Sequence, residues 1–190
     1  MQKIEDFKLI PRWDLRTESG QKWGTDLLKA CREYRGDDEV VRLDFPGERT
    51  VLKLKGRTLP GVVLKRFELA TKEDVDEAFR VAKEDGGGWA KKSVEERIEV
   101  ILRSAEVTSE RRCELNKSLI LNVGKTILEA EGETDEAIEF NILHALYLRK
   151  FLAEHPDLEV FAEGNGTAVV ICPKNFPAAI PIAHIVARLL

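Results

Sequence analysis

The sequence predicts an α/β fold that is mostly helical, with a β-rich lead-in. Three observations carry this. Alternating apolar and charged residues fill the stretch from Val40 to about Leu69. Long runs at near-3.6 spacing, opened by capping sequences, follow from Ala70. Near the end, the almost continuous apolar run "TAVVIC", Thr167–Cys172, leads into renewed helical spacing, the mark of a strand buried on both faces in a parallel sheet.

In chain order, "TDLLKACREYR" places Leu27, Leu28, Cys31 and Tyr34 on one face, which predicts a short amphipathic helix capped by Thr25. Between Val40 and Leu69, β-branched and apolar residues alternate with charges, interrupted by "PGE" and "LPG". Two or three short strands follow from that pattern and turn chemistry. From Ala70 the stripe Val75, Ala78, Phe79 and Ala82 predicts a helix, opened by the capping pair Thr71 and Asp74 and ended by "GGGW". Ser93 and Glu96 open a second run through Ile98, Ile101, Leu102 and Ala105, continued by Leu115, Leu119 and Val123. It bends near Val107–Arg111 and stops at Gly124. A third helix spans about Leu128–Ala153, with Ile138, Ile142, Ala145 and Leu146 inward. Pro156 in "HPDLE" ends it, since proline lacks a donor and restricts the preceding residue. "EGNG" reads as a turn, and "PKNFPAAIPIAHIVARLL" as a loop and a closing helix with Ala179, Ile182, Ile185, Val186 and Leu189 on one face. No glycine stop or polar tail follows Leu190, so that helix reads as cut within its run. The expected division is a lead-in over residues 1–66 and a larger body over residues 67–190.

Composition excludes several function classes. The 30 basic and 34 acidic residues are interspersed and sum to −4, without the clustered cationic face a nucleic acid needs. The apolar C-terminal stretch contains Pro181, His184 and Arg188 and falls short of a membrane span. The N-terminus lacks the basic start and apolar core of an export signal, so a cytoplasmic location is expected. Three scattered cysteines, Cys31, Cys113 and Cys172, signal neither a disulfide framework nor a zinc site, and no metal is expected. Cys31 and Cys113 read as small core residues, and His144 and His184 as packing histidines. Glu129, Glu131, Glu133, Asp135 and Glu136 read as a solvated acidic face.

In an open α/β sheet, ligands lie beyond the carboxyl ends of the strands. "CPKNFP" occupies that place. It has no glycine fingerprint, and what it offers is Asn175 near a helix start. Two readings stand at that residue: a helix N-cap, or a neutral amide donor for a developing oxyanion.

The order "ATKEDVDEAF", the tryptophan of "GGGWAKKSVEERIEVI", "RRCELNKSLILNVGKTILEAEGETDEAIEF" and "ICPKNFPAAIP" resembles the N-terminal part of the aldehyde dehydrogenase superfamily over about Phe67–Leu190. Within it the chain resembles the branch that oxidises the glutamate semialdehyde formed from pyrroline-5-carboxylate. The resemblance implies an incomplete Rossmann-like NAD(P)-binding domain, an aldehyde substrate, NAD or NADP as cofactor, and a homo-oligomer among the partners to be tested. It gives Asn175 the role of donor to the oxyanion of a thiohemiacetal, and gives the main chain of Ile171, Cys172, Pro173 and Lys174 contact with the cofactor. Lys174 departs from the family pattern, where tryptophan is usual. The family's phosphate-side lysine, glycine turn, glutamate base and nucleophilic cysteine all follow this motif. The chain therefore reads as an N-terminal piece of a longer dehydrogenase, inactive alone. A non-catalytic module that binds a partner or itself through exposed apolar surface is the alternative.

Overall fold

The computed structural model describes residues 12–161 and 166–190. Among the described residues two compact units divide the chain: Trp13–Gly86 with Asn116–Ala130, and Gly87–Leu115 with Glu131–Leu190.

The first of these units begins with α1, Glu18–Arg32. Its cap is Thr17, whose side chain accepts from Gly20 N at 3.1 Å, so the helix starts well before the expected Thr25. Thr25 lies inside it and bonds back to Gln21 O at 2.8 Å, a hydroxyl satisfied within a helix rather than at its end. The inward face is as expected, with Leu27 and Cys31 buried and Tyr34 donating to Leu64 O at 2.9 Å. Burial raises the Cys31 thiol pKa, partly offset by Lys117.

Among the described residues the strands are β1, Val40–Val41, β2, Val51–Lys55, and β3, Val63–Glu68, in the order β1-β3-β2. β1 runs parallel to β3 and β2 antiparallel to it, with Leu52 opposite Phe67 and an irregularity at Leu54/Lys55. The helix α2, Lys72–Glu84, carries the expected capping box: Thr71 N donates to Asp74 Oδ2 at 2.8 Å and Asp74 N to Thr71 Oγ1 at 3.3 Å. Its stop differs by one residue, because Asp85 takes the left-handed conformation at φ 46° ahead of the glycines. The expected inward stripe is a larger correction. Val75 and Phe79 are 47% and 37% exposed, and the buried residue of α2 is Asp74. An ion pair, not apolar packing, fixes this helix: the guanidinium of Arg49, itself buried, grips Asp74 and donates to the carbonyls of Phe45 at 3.0 Å and Gly47 at 3.2 Å.

The second unit is built on α3, Val94–Glu110, the first turn of α4, Arg112–Val123, most of α5, Ile127–Glu154, and α6, Ala179–Leu189. The Ser93/Glu96 capping box, the break at Arg111 and the stop at Gly124, with φ 84°, agree with expectation. The core joins Ile98, Ile101, Leu102 and Ala105 of α3 to Ile138, Ile142 and Ala145 of α5 and Val186 of α6. Burying each of the isoleucine, leucine and valine side chains is worth roughly 1.5–3 kcal/mol before entropy is counted. On the surface Arg149 of α5 bridges Glu95 and Glu99 of α3, the latter at 2.6 Å, and its hydrogen bond lowers the Glu95 pKa.

Four expectations fail here. Residues Thr167–Cys172 form no strand: Val169 is 64% and Ile171 89% exposed, and Cys172 is exposed too. A parallel strand needs neighbours for its backbone groups, and no described strand pairs with this one. Glu131 and Glu133 are buried at 1%, so the acidic face is not solvated as a whole; Glu129 and Glu136 are exposed. Cys113 is exposed, not core, because α4 turns it away from the face that buries Arg112 and Asn116. His184 is exposed on α6, whereas His144 is half-buried with Nδ1 2.7 Å from Phe140 O. The "EGNG" turn falls largely outside the described residues, although Gly166 has φ 77°.

Candidate active site

The sequence from Pro173 to Ala178 forms a turn that delivers the chain into α6. Pro173, Lys174 and Asn175 are exposed, Phe176 and Pro177 half-buried, and Ala178 and Ala179 buried. The burial gradient anchors the loop at its C-terminal end and leaves Asn175 facing outward.

Helix start is where the two readings of Asn175 separate. The N-cap of α6 is Ala178, which has no side-chain oxygen, and α6 makes no side-chain cap bond of its own. The orphan amides of the first turn are treated in other ways. Pro181, third in the helix, has no N–H to satisfy. Ala178 N and Ala179 N donate to Glu133 Oε1 at 2.7 and 3.3 Å. A carboxylate on α5 thus fills the place of the cap, with the sign of charge that a helix N-terminus favours. Asn175 is not the cap.

Glu133, expected on a solvated acidic face, sits instead on a buried stripe of α5. Ala130, Glu133, Thr134, Ala137, Ile138, Asn141, Ile142 and Ala145 follow one another at helical spacing and are all buried. The alanines let other backbone approach α5 closely; of the polar members, Glu133 accepts from that backbone, whereas Asn141 donates from Nδ2 to Ala137 O of its own helix at 2.8 Å. The signal in the spacing is only partial: Glu133 is flanked on one side by Ala130 and Ala137, which are buried, and on the other by Glu129 and Glu136, which are exposed. Two residues earlier, Glu131 meets Arg112 at 2.9 Å, and Asp135 meets the same guanidinium at 2.7 Å. With Arg112 side chain 4% and Glu131 2% exposed, this is a buried pair held by charge-assisted hydrogen bonds.

The other end of α6 is also held by side chains from elsewhere. Trp89 Nε1 donates to Leu189 O at 2.9 Å, and Arg97 donates to Leu190 O at 3.3 Å. The tryptophan of "GGGW" has a structural use here: it binds a carbonyl at the end of the helix that follows Asn175.

Of the expected site residues, Ile171, Cys172, Pro173, Lys174 and Asn175 lie together on one exposed stretch. Ile171 offers an apolar surface, Lys174 a cation, and the segment a main chain outside any described strand pairing. Among the described residues no group of three or more His, Cys, Asp or Glu is arranged to hold a metal ion. No described helix is long and apolar enough to cross a membrane.

Comparison with known proteins now gives this geometry its context. The chain is 29% identical to 1-pyrroline-5-carboxylate dehydrogenase of Geobacillus sp. (strain WCH70), over 98% of this chain and 38% of that protein. It is 30% identical to the protein of that name from Oceanobacillus iheyensis, over 97% of this chain and 38% of the relative. The chain therefore spans under half the length of these relatives. Among solved structures, 1-pyrroline-5-carboxylate dehydrogenase from Thermus with bound NAD superposes with a TM-score of 0.73 at 21% identity, over 99% of this chain and 38% of that one. Proline utilization A from Bdellovibrio bacteriovorus gives 0.73 at 20% identity, over 98% and 20%. These likenesses establish the fold as a mostly helical part of the α/β domain of such dehydrogenases. Residues 57–190 match the aldehyde dehydrogenase family, and the chain belongs to it.

Proposed function

We propose that this chain is the N-terminal part of an NAD(P)-dependent aldehyde dehydrogenase acting on a semialdehyde, glutamate semialdehyde being the leading substrate. Residues 67–190 belong to its cofactor domain. Asn175 donates from its side-chain amide to the oxyanion of the thiohemiacetal formed when a thiolate attacks the aldehyde carbonyl. The main chain from Ile171 to Lys174 lies along the cofactor, whose nicotinamide supplies a hydride acceptor when bound. The exposed stretch fits such a contact, with Ile171 as an apolar surface for a planar ring. In this reading the nucleophilic cysteine and the glutamate base lie outside these 190 residues.

One observation carries the reading at Asn175. The N-terminus of α6 is capped by Glu133, so the asparagine amide is not committed to its own helix. The names of the relatives support the substrate class. The test is kinetic. The chain alone, given NAD and glutamate semialdehyde, is expected to form no NADH. In the complete dehydrogenase containing this chain, Asn175→Ala should lower kcat about 10²–10³-fold, as loss of an oxyanion donor does elsewhere. Turnover by the isolated chain that disappears in Cys172→Ser would overthrow the assignment.

A second reading is favoured by the 89% exposure of Ile171 together with Val169 and the exposed α2 stripe: a module that self-associates or docks a partner through apolar surface. A mass that rises with concentration supports it, and a monomer at all concentrations counts against it.

A further inference from the structure

We infer that Glu133 is the positioning residue for Asn175, resting on the proposed role of that asparagine. The loop has a deep anchor near the residue it presents. Three positions after Asn175 the chain enters α6, and there Ala178 and Ala179 donate to one carboxylate oxygen. Ala178 cannot cap the helix, and Pro177 and Pro181 on either side contribute no N–H. The direction in which the chain leaves the turn is consequently set by α5, 45 residues earlier in sequence. Glu133 is 1% exposed, and it stands between the buried Ala130 and Ala137 on a helix whose neighbouring turns are fixed in the core by Ile138 and Ile142. Its carboxylate is therefore a fixed point, and Asn175 inherits its placement from it. Phe176 and Pro177, half-buried, transmit the constraint across the short intervening stretch.

A cap that only stabilised the protein would act on the whole chain. A positioning residue acts locally. The experiment compares the uniformly 15N-labelled chain with Glu133→Ala, Glu133→Gln and the core variant Ile142→Val, which weakens folding without touching the loop. Glu133→Ala is expected to accelerate hydrogen exchange at Ala178 and Ala179 about 10-fold beyond Ile142→Val, the equivalent of ~1.4 kcal/mol. It should also lower the heteronuclear NOE at the Asn175 backbone and side-chain amides. Glu133→Gln, which keeps an acceptor oxygen, is expected to restore most of both. Should the alanine variant not fold, Glu133→Asp, one methylene shorter, is expected to give the same local loosening. The inference is overturned if the Glu133 and Ile142 variants match in exchange at Ala178 and Ala179, or if Asn175 keeps its order. Neither readout involves turnover, so failure here and failure of the oxyanion reading are separate results.

Discussion

At the residue scale, Asn175 and Glu133 show what a sequence reveals and what it hides. Asn175 is conspicuous because an amide beside prolines at a helix start has two uses, and the spacing could not choose between them. The choice came from a residue 42 positions away in sequence terms, read from the chain as part of a solvated acidic face. An acid that is buried gives itself away only through the neighbours sharing its stripe. Because Asn175 is not a cap, Asn175→Ala should change the stability of this chain by less than about 0.5 kcal/mol. A loss near 1 kcal/mol in denaturant unfolding would restore the capping role. Asp74 supplies a prediction in pH. Hydrogen bonds from Arg49 and then from the Thr71 backbone lower its pKa well below the ordinary 3.8. The unfolded chain then binds a proton that the folded one does not. The resulting stability is present above about pH 4 and is lost progressively as pH falls through the depressed folded value. Asp74→Asn should flatten that acid limb of an unfolding midpoint plotted against pH.

At the element scale, the helices from Thr71 onward were legible because their boundaries are local chemistry. The boxes Thr71/Asp74 and Ser93/Glu96, the break at Arg111 and the glycine at 124 all act within one turn of the chain. α1 was legible in its buried face but not in its start, since Thr17 and Thr25 are both acceptable caps and the sequence between them has little apolar periodicity. The burial of α2 was misread for another reason: an apolar stripe states what a helix can cover, not what lies over it. The join between α4 and α5 holds the most consequential pair. Arg112→Ala leaves the buried carboxylate of Glu131 without its guanidinium, and should cost about 3–5 kcal/mol. Chemical denaturation of the variant measures this. A loss below 1 kcal/mol would place the pair with ordinary surface salt bridges.

At the scale of the whole molecule, the lesson is in Thr167–Cys172. Its composition is that of an inner strand, yet sheet membership belongs to neighbours as much as to the segment, and no described strand supplies one. Local patterns read the helical part of an aldehyde dehydrogenase fold, and long-range pairing was beyond them. Exposed Val169 and Ile171 make a prediction at this scale: Ile171→Lys should lower any concentration-dependent association seen by sedimentation, because a charge on an open edge discourages pairing. Finally, α6 is fastened at both ends by distant residues. Trp89 and Leu189 are 100 positions apart, and Glu133 and Ala178 45. Closing loops of that size carries an entropy cost before any contact rewards it, and such contacts tend to slow folding. The helix behind the candidate oxyanion donor is therefore expected to dock late in folding. In refolding, the indole of Trp89 should report that docking as a phase later than the assembly of α3 on α5.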